Sequence, residues 1–291
     1  MGSPLPEQHN SLRADEVSSH DPNPSPEGTN VDCTPHHGDN PVVLLHGFNS
    51  NAYRSFSRLA PALANHGKCV YAMNYGQLAP GIGDGKSIAA TSTGSYGLGP
   101  MPVSLDQVST QIDQVLSHTG AAKVDLVGYS QGGTLAIAYA KTHPSRVGKI
   151  VTISGTNRGT SLLGLSNLKK AMEDAGLPVG SLARGILGQA ANDLLETSDF
   201  MMKLKEGDIE APGVQYTAIS SLADEAATPL SNTQFSSGNH RNIVLQDGCP
   251  GDLPDHLGTP YDPRAIDNVV NALGGNIPVR CSSSVGLFAS M

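Results

Sequence analysis

At 291 residues the chain is long enough to bury a full-sized core, and it suits one large α/β domain better than two small ones. Charged residues make up only 15%, and 18 basic against 26 acidic side chains give a net charge of −8, so there is no basic stripe for a phosphate backbone and the composition argues against nucleic acid as a partner. No stretch approaches the roughly 18 consecutive apolar residues of a membrane-crossing helix, so no transmembrane segment is expected and the chain reads as soluble.

Residues 1–40 carry Pro4, Pro6, Pro22, Pro24, Pro26 and Pro35 among polar residues, with few large apolar side chains to bury. They read as a tail or surface wrap ahead of one domain over 41–291. The first residues lack the charged-then-apolar layout of a signal peptide, which leaves a removed leader open. Beyond Pro41, short β-branched runs alternate with helical patterns: VVLL at 42–45, CVYAM at 69–73, VDLV at 124–127, IVTI at 150–153, VQYTAI at 214–219 and NIVLQ at 242–246. Continuous apolar strands separated by helices predict a mostly parallel sheet covered on both faces.

Among the helices, Leu105, Val108, Ile112, Val115 and Leu116 share one face, with Ser104 as the expected cap and Gly120 as the stop. Asp262-Pro263 opens another, carrying Ile266, Val269, Val270 and Leu273 on one face and ending at Gly274. Two segments depart from this βα series. The Gly-rich stretch 76–100 has the length of a loop that rims a site. Residues 160–207 hold two helical stretches where a plain crossover needs one, and are read as a cap.

Four cysteines allow three pairings, of which Cys33 with Cys69 and Cys249 with Cys281 join near neighbours. A chain of this size does not need staples, so four free thiols remain an alternative at this point.

The chemistry centres on Gly128-Tyr129-Ser130-Gln131-Gly132. With 33 Gly and 30 Ser in 291 residues, a G-x-S-x-G arises by chance about 0.4 times, so its setting has to carry the reading. Here KVDLV reads as a buried strand and GGTLAIAYAKTH as a helix of small residues. Ser130 then sits on a sharp strand-to-helix turn that lifts its Oγ out of the sheet, and a Cβ at Gly128 or Gly132 would crowd that turn. The Gln131 N–H, at a helix start, is one candidate oxyanion donor; the Phe48 N–H, after His46-Gly47 at the end of an early strand, is the second. An acid and a base should follow, each after a later strand. Asp224 and His256 have that placement. His240 is the rival base, but precedes its strand; Asp247, Asp252 and Asp255 compete with Asp224, but crowd the His256 loop. Those three match no EF-hand spacing, and the Cys and His spacings match no zinc site, so neither metal nor cofactor is expected.

Taken in order, PVVLLHGF, CVYAMNYG, TGAAKVDLVGYSQGG, ISGTNRGT, SLADEAATP and CPGDLPDHLG with a C-terminal Cys281 resemble the secreted bacterial class 2 lipases, and more distantly fungal lipase B. The resemblance spans roughly residues 33–281. It implies an α/β-hydrolase fold with a helical cap, cofactor-free hydrolysis of carboxylic esters and secretion. It places the triad on Ser130, Asp224 and His256 and the oxyanion N–H groups on Phe48 and Gln131, and it favours the two local disulfides. It also implies an ester or lipid as partner, with transient contact at a lipid interface. Tyr129 stands where a His is usual in such elbows. Two further readings keep the fold: a thioesterase or peptidase on the same triad, and a non-catalytic binding protein, which would be expected to have lost a triad member.

Overall fold

The computed structural model describes residues 4–77, 94–161 and 189–286. Six strands form one sheet: β1 (Val42–Leu45), β2 (Val70–Met73), β3 (Val124–Tyr129), β4 (Val147–Ile153), β5 (Gln215–Ser220) and β6 (Asn239–Val244). Their spatial order is β2-β1-β3-β4-β5-β6, and every neighbouring pair runs parallel. All four residues of β1 and all six of β3 are buried, as expected for central strands with helices on both faces.

Alternate residues divide between two cores. Val43, Leu45, Leu126 and Ile150 meet α4 (Met101–Thr119) through Val108, Ile112 and Val115, and α5 (Gln131–Thr142) through Leu135 and Tyr139. On the opposite face Val42, Leu44, Val127 and Ile219 meet Phe56 of α2 (Ala52–Phe56), Leu59 and Leu63 of α3 (Leu59–Asn65), and Ile266 and Val269 of α8 (Pro263–Ala272). The chain runs outward from β1 to β2 on one side, then resumes on the other side with β3. The crevice beyond the carboxyl ends of β1 and β3 is therefore the topological switch point, where open α/β sheets bind ligands.

Several local expectations meet a different outcome. Helix α4 starts at Met101, not after Ser104: the Ser104 N–H already donates to Pro100 O at 3.0 Å, and the Met101 N–H is satisfied by Asp193 Oδ2 at 3.0 Å. Pro102, in the first turn, needs no intrahelical acceptor there, so the helix gains a turn beyond its apolar stripe. Gly120, at φ +67°, does end it in the left-handed region. Strand β6 begins three residues before its apolar run, because the polar residues Asn239, His240 and Arg241 continue the ladder opposite Gln215, Tyr216 and Thr217. His240 consequently lies inside the strand.

Residues 4–40, read as a tail or wrap, lie against the domain. Helix α1 (Ser11–Ser18) is capped by Asn10, whose side chain accepts the Arg13 N–H at 2.9 Å. Further on, the Asn30 side chain accepts the Ala72 N–H and donates to Ala72 O, both at 3.0 Å, and so occupies the free edge of β2. The Cys33–Cys69 disulfide fixes the segment beside that edge, with Cα atoms 5.6 Å apart.

Of the cap, residues 162–188 lie outside the described residues, and with them Leu162, Leu163, Leu165, Leu168, Leu182, Ile186 and Leu187. Its remainder includes α6 (Gln189–Asp193) and α7 (Asp199–Leu204), with Met201 buried and Met202 exposed. Most of the Gly-rich loop, residues 78–93, also lies outside. Finally β7 (Leu253–Pro254) pairs in parallel with β8 (Val285–Gly286), and Cys249–Cys281 closes the same region, with Cα atoms 5.4 Å apart.

Candidate active site

Ser130 occupies the single residue between β3 and α5, with φ 52° and ψ −118°. A positive φ at a non-glycine residue costs of order 1–3 kcal/mol and persists only where surrounding contacts fix it. Those contacts are present: Ser130 N–H donates to Ile153 O at 3.0 Å, while Ser130 O accepts the N–H groups of Gly133 at 3.0 Å and Thr156 at 3.2 Å. The two glycines of the turn leave no room for a side chain. A Cβ at Gly128 would lie 2.4 Å from the Gly132 carbonyl, and one at Gly132 would lie 1.9 Å from Leu45 O. The helix start is thus pressed against the end of β1, which brings the loops after β1 and β3 together.

Residues from two later loops converge on the serine. His256 Nε2 is 2.9 Å from Ser130 Oγ, and His256 Nδ1 is 3.0 and 2.9 Å from the two carboxylate oxygens of Asp224. Asp224 lies just past β5, where Oδ1 also accepts the N–H groups of Ala226 at 2.9 Å and Ala227 at 2.8 Å. Tyr129 secures the histidine from beneath: its hydroxyl donates to His256 O at 2.9 Å, with the two rings 5.2 Å apart.

Burial and charge act in opposite senses on this pair. Burial pushes the His256 imidazole down, but the Asp224 carboxylate, with help from Glu225 and Asp255, raises it above the ordinary histidine value. Burial likewise pushes Asp224 up, yet the His256 charge and the hydrogen bonds from His256 and Ala227 hold it below the ordinary carboxylate value. The arrangement favours an ion pair, which is the state a base in this position reaches when it takes a proton.

The rival residues stand apart. His240, exposed in β6, contacts Ser237 O at 3.0 Å. Asp255 Oδ1 accepts the Gly258 N–H at 2.7 Å and shapes the His256 loop. Asp252 is buried beside Asp262 with Ser282 between them, and burial together with that neighbouring charge pushes it up to about 6. Asp247 turns the chain after β6, its N–H on Val244 O at 2.9 Å. Among the described residues no three His, Cys, Asp or Glu side chains group as metal ligands.

The loop after β1, where His46-Gly47 turns the chain, is braced by the His46 ring, whose contacts were not apparent from sequence. His46 is fully buried, stacked on Tyr75 at 4.0 Å, and burial lowers its pKa to about 4. Neutral imidazole has one donor and one acceptor. His46 uses them on Gly47 O, 2.8 Å from Nδ1, and on the Tyr75 N–H, 3.3 Å from Nε2. This holds the Gly47-Phe48 turn, and Phe48 lines a cavity of about 490 Å³ together with Tyr129, Ser130 and His256. Gln131 is the first residue of α5, so its N–H has no intrahelical acceptor. Ala191 and Leu194 from the cap line the cavity, as do Ser11, Leu12 and Asp15 of α1, a contribution with no apolar pattern to announce it.

A family model described as the alpha/beta hydrolase fold matches residues 40–242. The chain belongs to the alpha/beta hydrolase fold family. Within it, the chain is 34% identical over 126 residues to a 2-hydroxy-6-oxononadienedioate/2-hydroxy-6-oxononatrienedioate hydrolase of Burkholderia vietnamiensis. That match takes in 43% of this chain and 39% of the relative. A putative carbamate hydrolase of Caulobacter segnis is 34% identical over 76 residues, 26% of each chain. The matched stretches thus span about two fifths or less of these curated relatives. Among solved structures, Aspergillus fumigatus lipase B superposes with a TM-score of 0.59 at 20% identity, over 84% of this chain and 55% of its own. The mature form of Bacillus licheniformis lipase BlEst2 gives 0.55 at 15% identity, over 83% and 96%. At such identities the likeness is one of fold. Membership in the alpha/beta hydrolase fold family is broader than the class 2 lipase resemblance of the motifs.

Proposed function

We propose that the protein is a serine carboxylic ester hydrolase of lipase or esterase type. The observation that carries this reading is the continuous contact from the Asp224 carboxylate through His256 to Ser130 Oγ, with each gap between 2.9 and 3.0 Å. In the reaction, Ser130 Oγ bonds to the ester carbonyl carbon as His256 Nε2 takes the hydroxyl proton. The carbonyl oxygen becomes an oxyanion beside the N–H groups of Phe48 and Gln131. The carbon–oxygen bond then breaks and the alcohol leaves with the proton from His256. Water, deprotonated by the same imidazole, attacks the acyl-enzyme and releases the acid. Asp224 holds the proton of His256 on Nδ1 and stabilises the imidazolium. Every proton in this cycle is carried by these residues or water, so the scheme uses no cofactor.

Apolar lining from Leu194, Ala191 and Phe48 supports a substrate with an alkyl portion, in the manner of lipases. Two disulfides, and the absence of a helix long and apolar enough to cross a membrane among the described residues, are compatible with secretion, which we propose as the setting.

The test is Ser130→Ala, assayed with p-nitrophenyl esters and with covalent labelling by a fluorophosphonate. Both hydrolysis and labelling are expected to vanish while the melting temperature holds. Labelling of the variant at the wild-type rate would place the nucleophile elsewhere, and a wild-type protein inert to esters of every chain length would overturn the reading.

A further inference from the structure

Helix α1 has the wrong composition for a free-standing helix. Eight residues, SLRADEVS, are too few and too polar to be stable without docking. What docks is Ala14, fully buried against Tyr53 and Tyr261, and Ser18, one turn later and also fully buried. The seat is built from several directions. Arg54 Nε pairs with Asp15 Oδ1 at 2.7 Å and contacts Ser18 Oγ at 3.3 Å. Ahead of the helix, the Tyr53 hydroxyl donates to Pro6 O at 2.5 Å, and Leu5 exchanges backbone bonds with Ser25 and Glu27 at 2.9 and 3.0 Å.

Ala14 and Ser18 face the domain with Val17 half-buried against the same cluster, whereas Leu12 is turned out. Leu12 is 57% exposed, yet lines the same cavity as Ser130 and His256. Leu257, 47% exposed and next in sequence to the histidine, lines it as well. Ser11, on the cavity wall beside Leu12, has a buried hydroxyl with no hydrogen-bond partner among the described residues. A surface segment with no role in binding would gain from the opposite arrangement, with leucine buried and alanine exposed.

We propose that α1 is a wall of the catalytic cavity and that Leu12, with Leu257, binds the alkyl chain of the substrate ester, so that the N-terminal segment sets chain-length preference. This rests on the ester hydrolase reading. Alkyl groups occur on both sides of an ester, so the acyl and alcohol chains are distinguished by two substrate series.

The experiment compares wild type, Leu12→Ser and Leu12→Met in kcat/KM on p-nitrophenyl esters of two- to twelve-carbon acids, and on acetates of two- to ten-carbon alcohols. Leu12→Ser is expected to lower the ratio of eight-carbon to two-carbon substrate by about five- to tenfold in one series, with Leu12→Met restoring it. The series that responds identifies the chain. An unchanged ratio in both series overturns the proposal. Octanoate and 1-octanol binding by calorimetry to Ser130→Ala, with and without Leu12→Ser, separates this from the activity. Weaker binding of either in the double variant sustains the alkyl wall even where no ester is cleaved, and equal binding of both rejects it. Because Leu12 is exposed, the melting temperature of the variants reports whether the helix stays seated.

Discussion

Replacing Asp224 by Asn changes one atom in the contact chain, and the surrounding donors decide which one. Oδ1 accepts the N–H groups of Ala226 and Ala227 and lies 3.0 Å from His256 Nδ1, whereas Oδ2 faces Nδ1 at 2.9 Å. In the variant those two backbone donors select the amide oxygen for the Oδ1 position, which leaves the amide NH2 at the Oδ2 position. An NH2 group donates and cannot accept from Nδ1–H. The amide oxygen at the Oδ1 position already serves two backbone donors, so the NH2 group competes for Nδ1 and favours the tautomer with the imidazole proton on Nε2. That nitrogen, 2.9 Å from Ser130 Oγ, can then no longer take a proton from the serine. The expected loss is about 10⁴ in kcat, or about 5.4 kcal/mol at about 1.36 kcal/mol per tenfold. Chain folding should survive, since both backbone bonds to the side chain are kept. Steady-state hydrolysis of p-nitrophenyl butyrate, corrected by active-site titration, measures it. The pH profile gives an independent reading. Activity needs neutral His256, so kcat/KM in the wild type should rise with pH through a value above that of an ordinary histidine, and that limb should move to lower pH once the Asp224 charge is gone and burial remains. Stability follows the acid. A carboxyl held below its unfolded value contributes stability that is present above the unfolded pKa and is lost as pH falls through the folded one. The Asn variant should therefore show a flatter melting temperature on the acid side. A loss in kcat smaller than about tenfold, with an unmoved pH limb, would refute this role for Asp224.

The two histidines are expected to separate cleanly: His256→Ala should cost nearly as much as Ser130→Ala, while His240→Ala, in an exposed strand, should keep most activity, and the reverse ranking in kcat would reassign the base. The disulfides close spans of 36 and 32 positions, each worth roughly 3 to 4 kcal/mol in the chain-entropy model. Thiol titration of denatured, unreduced protein should find none, and reduction should lower the melting temperature by roughly 10 °C; four titratable thiols in oxidised material would contradict the pairing.

What could be read from sequence was whatever a buried parallel sheet imposes on residue type. VVLL at 42–45 is apolar throughout because helices cover both faces, and VDLV at 124–127 departs from that only at Asp125, which Asn40 Nδ2 meets at 2.8 Å. The Gly-Tyr-Ser-Gln-Gly turn needs glycine at 132 because Leu45 O of β1 lies 1.9 Å from where a Cβ would go, and at 128 because the start of α5 lies 2.4 Å away. Asp224 and His256 were legible through their position after later strands, a consequence of the same topology. Strand ends were less so. The first three residues of β6 are polar, since an edge strand can satisfy its ladder without burying side chains.

The N-terminal segment was harder to read for a physical reason. Its attachment relies on groups that hydrophobic pattern does not register: carbonyls of Pro6 and Pro22 accepting from Tyr53 and Tyr96, and the Asn30 amide completing the edge of β2. Every residue has a carbonyl, so an acceptor docked against a buried tyrosine leaves no trace in composition. The same holds for Ala14, which is small enough to seat a helix against two tyrosines without forming an apolar stripe. A proline-rich, polar stretch therefore gives the same sequence signal whether it is solvated or strapped to a domain. What separates the two is the partner surface, here Tyr53 and Arg54, which lie 47 and 36 positions from the atoms they hold, and Tyr261, packed on Ala14. Through that surface Leu12 is placed in the cavity beside Ser130, so a segment that looks dispensable by composition stands where substrate selection would occur.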